Sequence, residues 1–203
     1  MDCECCSDIK VYDDFLTKEQ YLPIYQYYVD TKTGYNGESV PWYWVDGVVN
    51  MDDGRMQFVS LAYAKDHIIN MTMFNVLAPI IDKINPISLF RIKSNLGIPE
   101  TLNYSDEDTL HTDDWHCDPP NKCSMTTGIY YVNSNSGYTL FEDGTKVESV
   151  ANRMVIFPCH VRHGGIPHND SNKGRIVVNF NWFCSRFGAQ CWTIEITRCL
   201  VTQ

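Results

Sequence analysis

From residue 87 onward, apolar and polar side chains alternate with a period of two. In "SLFRIKSNL", Arg91, Lys93 and Asn95 fall on one face, and Phe90, Ile92, Ser94 and Leu96 on the other. "GIYYVN" puts Ile129, Tyr131 and Asn133 on one face. "RIVVNFNW" alternates Arg175, Val177, Asn179 and Asn181 with Ile176, Val178, Phe180 and Trp182. Successive side chains of a strand point to opposite faces, so these segments are predicted strands. "RMVIF" reads as a further strand, and "YTLFEDGTKVES" as a hairpin turning at Asp143-Gly144.

The N-terminal third is mixed. "LTKEQYLPIYQYYV" predicts a helix, with Thr17 as its cap and Gln20 three positions on, as in a capping box. "VPWYWVDGVV" and "GRMQFVSLAYA" are rich in aromatic and β-branched residues and predict strands. "MFNVLAPIIDKI" spaces Phe74, Leu77, Ile81 and Ile84 as one face of a second helix, in which Pro79 is either an interruption or a first-turn residue.

The alternation in 175–182 carries more than secondary structure. One face is strongly apolar, and the other holds an arginine and two asparagines. A polar face on a strand is ordinarily turned to solvent. Here two upstream helices are available to cover the apolar face, which leaves the polar face to line a pocket. A barrel of short antiparallel strands with a ligand-holding interior satisfies both.

Composition narrows the partners. Of 203 residues, 44% are hydrophobic and 20% charged, as in a folded domain. No linker or repeat divides the chain. It reads as one domain over 1–203, with a mixed support region at 8–86, a strand-rich core at 87–183 and a C-terminal extension at 184–203. Lys and Arg total 16 against 25 Asp and Glu, for a net charge of −9. Without a basic cluster, binding to nucleic-acid phosphates is disfavoured. No apolar run is long enough to predict a membrane span, and "MDCECCSDIK" lacks the features of a signal peptide. A cytoplasmic location with reduced thiols is expected for the nine scattered cysteines. The Cys3, Cys5 and Cys6 cluster lacks partner ligands at zinc-finger spacing, so a mobile thiol-rich terminus is expected there.

The chemistry sits in "LHTDDWHCDPP". Two His-x-Asp pairs occur, His111/Asp113 and His116/Asp118. On a strand, residues i and i+2 face the same way, so each pair presents an imidazole beside a carboxylate. A distal histidine would complete a two-His-one-carboxylate facial triad, which leaves coordination positions open and suits non-haem Fe(II). His163 is the candidate, placed after a strand and before Gly164-Gly165, where the backbone can turn closely past a metal. His160 and His168 are expected in surface loops. Twelve residues after His163 comes Arg175, whose fork suits the carboxylate of an acidic co-substrate.

The two pairs are an odd number of residues apart, so on one continuous strand over 110–118 only one pair points inward. Pro119-Pro120 ends such a strand directly after Asp118, at a pocket mouth.

The ordered set of His-x-Asp, "TGIYYVN", "GYTLFEDG", "NRMVIFP", "HGG" and "RIVVNFNW" resembles the Fe(II)/2-oxoglutarate-dependent dioxygenases. Within them it is most similar to prolyl-4-hydroxylase-like members, including small phage-encoded ones. The resemblance covers about residues 87–183. It implies a mainly β double-stranded β-helix, or jelly-roll, core with flanking helices. It implies Fe(II), 2-oxoglutarate and O2, with ascorbate as reductant. The far carboxylate of 2-oxoglutarate would pair with Arg175 and hydrogen-bond Tyr131, and its oxidative decarboxylation would yield succinate and CO2. The resemblance also favours His116/Asp118 with His163 as ligands, because Trp115 precedes His116 and the spacing to "IYY" fits; His111/Asp113 is the alternative pair. It leaves the substrate open between a protein side chain and a small molecule, and for a phage-encoded protein the location becomes the host cytoplasm. The competing reading is a non-catalytic jelly-roll binding or virion-associated protein with a vestigial metal site.

Overall fold

A computed structural model describes residues 8–30, 32, 34–48, 55–99, 110–113, 125–169 and 174–183. The Cys3, Cys5 and Cys6 cluster and the extension at 184–203 lie outside them.

The chain opens with strand β1 (Lys10–Tyr12) and helix α1 (Lys18–Tyr28). The capping box forms as the sequence predicts. Gln20 N–H donates to Thr17 Oγ1 at 3.3 Å, and Thr17 N–H donates to Gln20 Oε1 at 3.1 Å. Pro23 lies inside α1 and removes one helical hydrogen bond, yet the helix runs on, because Ile24, Tyr27 and Tyr28 bury their side chains beyond it. Strands β2 (Tyr43–Asp46), β3 (Met56–Ala64) and β4 (His67–Ile68) follow. The single helix predicted around Pro79 is two: α2 (Met71–Val76) and α3 (Ala78–Ile84). Pro79 cannot donate to a carbonyl one turn back, so the chain breaks at Leu77 and restarts with proline in the first turn of α3.

The core strands are β5 (Ser88–Gly97), β6 (Met125–Tyr131), β7 (Tyr138–Phe141), β8 (Lys146–Glu148), β9 (Arg153–Pro158), β10 (His163–Ile166) and β11 (Arg175–Phe183). They form two sheets. An eight-stranded sheet runs β1-β9-β6-β11-β5-β3-β2, with β4 attached to β3, and a three-stranded sheet runs β10-β7-β8. The pairings are antiparallel throughout the described residues. Gly144, at φ +86°, makes the predicted β7–β8 turn, where a side chain would be strained. His163 does not precede a turn as expected. It heads β10, and Gly164 and Gly165 continue that strand opposite Leu140 and Thr139.

The period-two pattern sorts the large sheet's two faces. Ile92, Ile176, Val178, Phe180 and Trp182 pack under the helices with Ile24, Tyr28, Met73, Leu77 and Ile80. Burial of such side chains stabilises by roughly 1.5–3 kcal/mol each. On the opposite face, Ile129, Tyr131, Val155 and Val177 meet Phe141 and Val147 of the small sheet in a second core. That second core fills only part of the space between the sheets. The polar residues of β5 and β11 line the rest, as the alternation predicts. Among the described residues, no helix is long and apolar enough to cross a membrane.

Candidate metal centre and anion pocket

A cavity of about 820 Å³ opens between the sheets, lined by Arg91, Lys93 and Asn95 of β5 and by Arg175, Val177 and Asn179 of β11. His111, Asp113 and His163 stand together on its wall, and their ligand atoms all lie within 4.8 Å of one another. Backbone pairing explains the grouping. His111 and His163 exchange both N–H···O bonds, each at 2.8 Å, and Asp113 N–H donates to Cys159 O at 2.8 Å. The segment is not the continuous strand expected over 110–118: within 110–113 it makes one bridge, at His111, and bends at Asp113. The i, i+2 relation still turns both side chains toward His163, whose ring centroid is 4.6 Å from that of His111. His116 and Asp118 lie outside the described residues.

The protonation states suit a cation. His163 is buried, with Nδ1 3.0 Å from Val161 O. A carbonyl only accepts, so Nδ1 carries the hydrogen and Nε2 keeps its lone pair. That Nε2 is buried and has no hydrogen-bond partner. Burial pushes the imidazole pKa down to about 4, the neighbouring His111 adds to the fall, and Asp113 opposes it. His163 is therefore neutral near pH 7. For Asp113, burial works against the charge, but His163, Arg91 and an Asn181 hydrogen bond outweigh it and hold the carboxyl below its usual range. A neutral imidazole with a bare, buried nitrogen beside an ionised carboxylate is the donor chemistry of a two-His-one-carboxylate site. The residues fit a divalent metal.

A second layer fixes the carboxylate. Asp113 Oδ2 accepts from Thr127 Oγ1 and from Asn181 Nδ2, both at 2.9 Å. Asp113 Oδ1 accepts from Arg91 at 3.4 Å, and Arg91 Nε in turn donates to Asn181 Oδ1 at 3.1 Å. Arg91 and Asn181 were visible as polar members of alternating strands, without a role. Thr127 gave no signal, because its partner comes from a distant segment.

At the other end of the cavity, Arg175 is buried. Its Nε donates to Ser149 Oγ at 3.0 Å, and one terminal nitrogen donates to Thr139 Oγ1 at 3.2 Å. No carboxylate among the described residues pairs with it. Two glycines make room: a Cβ at Gly137 would meet Arg175 Cδ at 2.8 Å, and one at Gly165 would meet a guanidinium nitrogen at 3.2 Å. Tyr131 stands one step back from the cavity. Its ring lies 5.7 Å from the guanidinium carbon, and its hydroxyl donates to Thr139 Oγ1 at 2.7 Å. Thr139, rather than Tyr131, lines the cavity. Of the remaining histidines, His160 is exposed as expected, whereas His168 is buried, at 1% exposure, and is not the surface loop residue its polar setting suggests.

No family model matches the sequence, and no curated protein matches it either. Solved structures do. A prolyl hydroxylase from Trichoplax adhaerens, in complex with a hypoxia inducible factor oxygen degradation domain peptide fragment, is 13% identical with a TM-score of 0.59, over 86% of this chain and 83% of that chain. The non-heme alpha ketoglutarate dependent epimerase SnoN from nogalamycin biosynthesis is 11% identical with a TM-score of 0.55, over 87% of this chain and 78% of that chain. An oxidoreductase of the 2OG-Fe(II) oxygenase family from Burkholderia pseudomallei is 13% identical with a TM-score of 0.50, over 70% and 73% of the two chains. With its antiparallel sheets and the cavity between them, the chain has the jelly-roll fold of the Fe(II)/2-oxoglutarate oxygenases.

Proposed function

We propose that the protein is an Fe(II)/2-oxoglutarate-dependent dioxygenase of the hydroxylase type, with His111, Asp113 and His163 as its three metal ligands. The observation that carries this reading is the bare, buried Nε2 of His163, grouped with His111 and Asp113 in a cavity that also holds the buried Arg175. Bound Fe(II) would supply the redox chemistry by which O2 oxidises both partners: 2-oxoglutarate goes to succinate and CO2, and a substrate C–H becomes C–OH.

The chain's own residues do the positioning. The Val161 carbonyl holds His163 in the tautomer that offers Nε2. Arg91 and Asn181 keep Asp113 ionised, and with Thr127 they orient its oxygens. Arg175 is a buried, charged fork on the cavity wall and pairs with the far carboxylate of 2-oxoglutarate. Tyr131 acts as a positioning residue, holding the Thr139 hydroxyl beside that fork.

Succinate formation tests the proposal. Protein supplied with Fe(II), 2-oxoglutarate and O2 is expected to release succinate slowly even without a prime substrate, and His163→Ala is expected to release none. Wild-type protein forming no more succinate than His163→Ala would sink the enzyme reading.

A further inference from the structure

The cavity contains polar groups that neither the metal site nor the Arg175 pocket uses. Lys93 stands opposite Asn179 in the β5–β11 pairing, and Asn95 stands opposite Val177, two positions along. All three side chains line the cavity. The Lys93 side chain makes no hydrogen bond or ion pair among the described residues. The side-chain oxygens of Asn95 and Asn179 are buried and equally without a hydrogen-bond partner. Two such oxygens beside a half-buried, unpaired ammonium are unusual, because a buried polar group without a partner costs about 1–3 kcal/mol. Asp113 attracts Lys93 from within the cavity, but its oxygens are already engaged by Arg91, Thr127 and Asn181.

The wider charge pattern points the same way. Five cationic side chains, Arg55, Arg91, Lys93, Arg162 and Arg175, line the cavity against one described carboxylate, Asp113. The chain as a whole carries −9. A cationic cavity in an acidic protein concentrates small anions and repels acidic surfaces. The co-substrate's far carboxylate accounts for Arg175, Asp113 engages Arg91, Arg55 donates to the Gly165 carbonyl at 3.4 Å, and Glu142 engages Arg162 at the exposed rim. Lys93 is left over.

We propose that Lys93, Asn95 and Asn179 form a second anion subsite, which holds the substrate to be oxidised: a small molecule bearing a carboxylate or phosphate beside O–H donors. The ammonium recognises the anionic oxygens, and the two amide oxygens accept from hydroxyls. Neighbouring positions along and across strands are roughly 5–7 Å apart, the size of one polar head group rather than of a folded surface. This proposal rests on the co-substrate reading, since it assigns the space that 2-oxoglutarate leaves.

The test is calorimetric titration of the full chain loaded with Mn(II) and N-oxalylglycine, an inert analogue that fills the Arg175 pocket. Gluconate and glycerol 3-phosphate are the anionic probes, with sorbitol and glycerol as their neutral counterparts. At least one anion is expected to bind, and neither neutral compound. Which anion binds separates a carboxylate from a phosphate substrate. Lys93→Met is expected to weaken that binding at least about tenfold, about 1.4 kcal/mol, while Lys93→Arg retains it. Asn179→Asp, which adds a negative charge, should also abolish it. N-oxalylglycine should bind all three variants, which shows that they fold. Binding of neither anion, or equal binding by Lys93→Met, would overturn the proposal. Loss of N-oxalylglycine in Lys93→Met would overturn it too, by giving Lys93 to the co-substrate. If wild-type protein itself fails to bind N-oxalylglycine, the co-substrate reading falls instead, and anion titration of the Mn(II)-loaded protein still decides the role of Lys93.

Discussion

Asp113 holds more of the site's design than either histidine beside it. Three neighbours bond its two oxygens, so its charge and orientation are set before any metal arrives. Asn181 is the key neighbour, since its Nδ2 reaches both the carboxylate and Thr127 while its Oδ1 accepts from Arg91. Asn181→Ala should therefore weaken Mn(II) binding about 10–100-fold without removing a ligand; unchanged affinity by calorimetry would mean that Asp113 orients itself. The sequence displayed this carboxylate but could not select it. Two His-x-Asp pairs satisfy the same i, i+2 rule, and the Pro-Pro stop favoured His116/Asp118. What brings His111/Asp113 to His163 is a backbone bridge to a residue far along the chain, and such a pairing leaves no local mark in a single sequence. Thr139 was unreadable for the same reason, whereas Arg175 was legible because its chemistry and its strand position are both local.

Among the elements, α1 is tied down by polar contacts as well as packing. Asn152, at φ +63°, accepts from the Leu16 N–H and the Tyr130 hydroxyl and donates to the Leu16 carbonyl, joining the start of α1 to the β8–β9 turn. Asn152→Ala strands three buried groups and should cost about 3 kcal/mol, read from urea unfolding; a loss under about 1 kcal/mol would show that water replaces them. Tyr28, whose hydroxyl meets Ser94 at 2.7 Å, and Tyr130 both have their pKa raised by burial. Raised folded values mean that their stabilisation is complete below the unfolded tyrosine value near 10 and declines as pH rises above it. Unfolding free energy should therefore fall between about pH 10 and 11, and Tyr28→Phe should flatten that fall; parallel slopes for the two proteins would refute the assignment. The cap of α1 and the alternation of β5 and β11 were legible because both are short-range patterns. The α2–α3 break was half legible through Pro79. Strand β1, only three residues long, has too little sequence to announce itself, and its partner β9 lies at the other end of the chain.

At the scale of the molecule, the candidate ligands come from separate places: His111 and Asp113 from a segment outside the named strands, and His163 from β10 of the small sheet. A metal that joins them should act as a cross-link. Mn(II) at about a hundred times its Kd should add about 2.7 kcal/mol of stability, or roughly 5–10 °C in Tm. His111→Ala should abolish that rise and His116→Ala should retain it, with differential scanning fluorimetry as the measurement; the reverse pattern would move the metal to the other pair. A barrel of short antiparallel strands was foreseeable from polar faces with helices behind them, and the family resemblance made it a jelly roll, while the composition of the second layer depended on contacts between strands. Strand β11 serves both sides of this arrangement, sending Ile176, Val178, Phe180 and Trp182 into the helical core and Arg175, Asn179 and Asn181 toward the cavity and the candidate metal centre. Heritable change in this strand is thereby split between two kinds of fitness. Substitutions at even positions are exposed to selection through abundance and folding, and those at Arg175, Asn179 and Asn181 through what the protein recognises. Lineages could re-tune the ligand by drifting at those odd positions of one strand while the scaffold, read at the even ones, stays fixed.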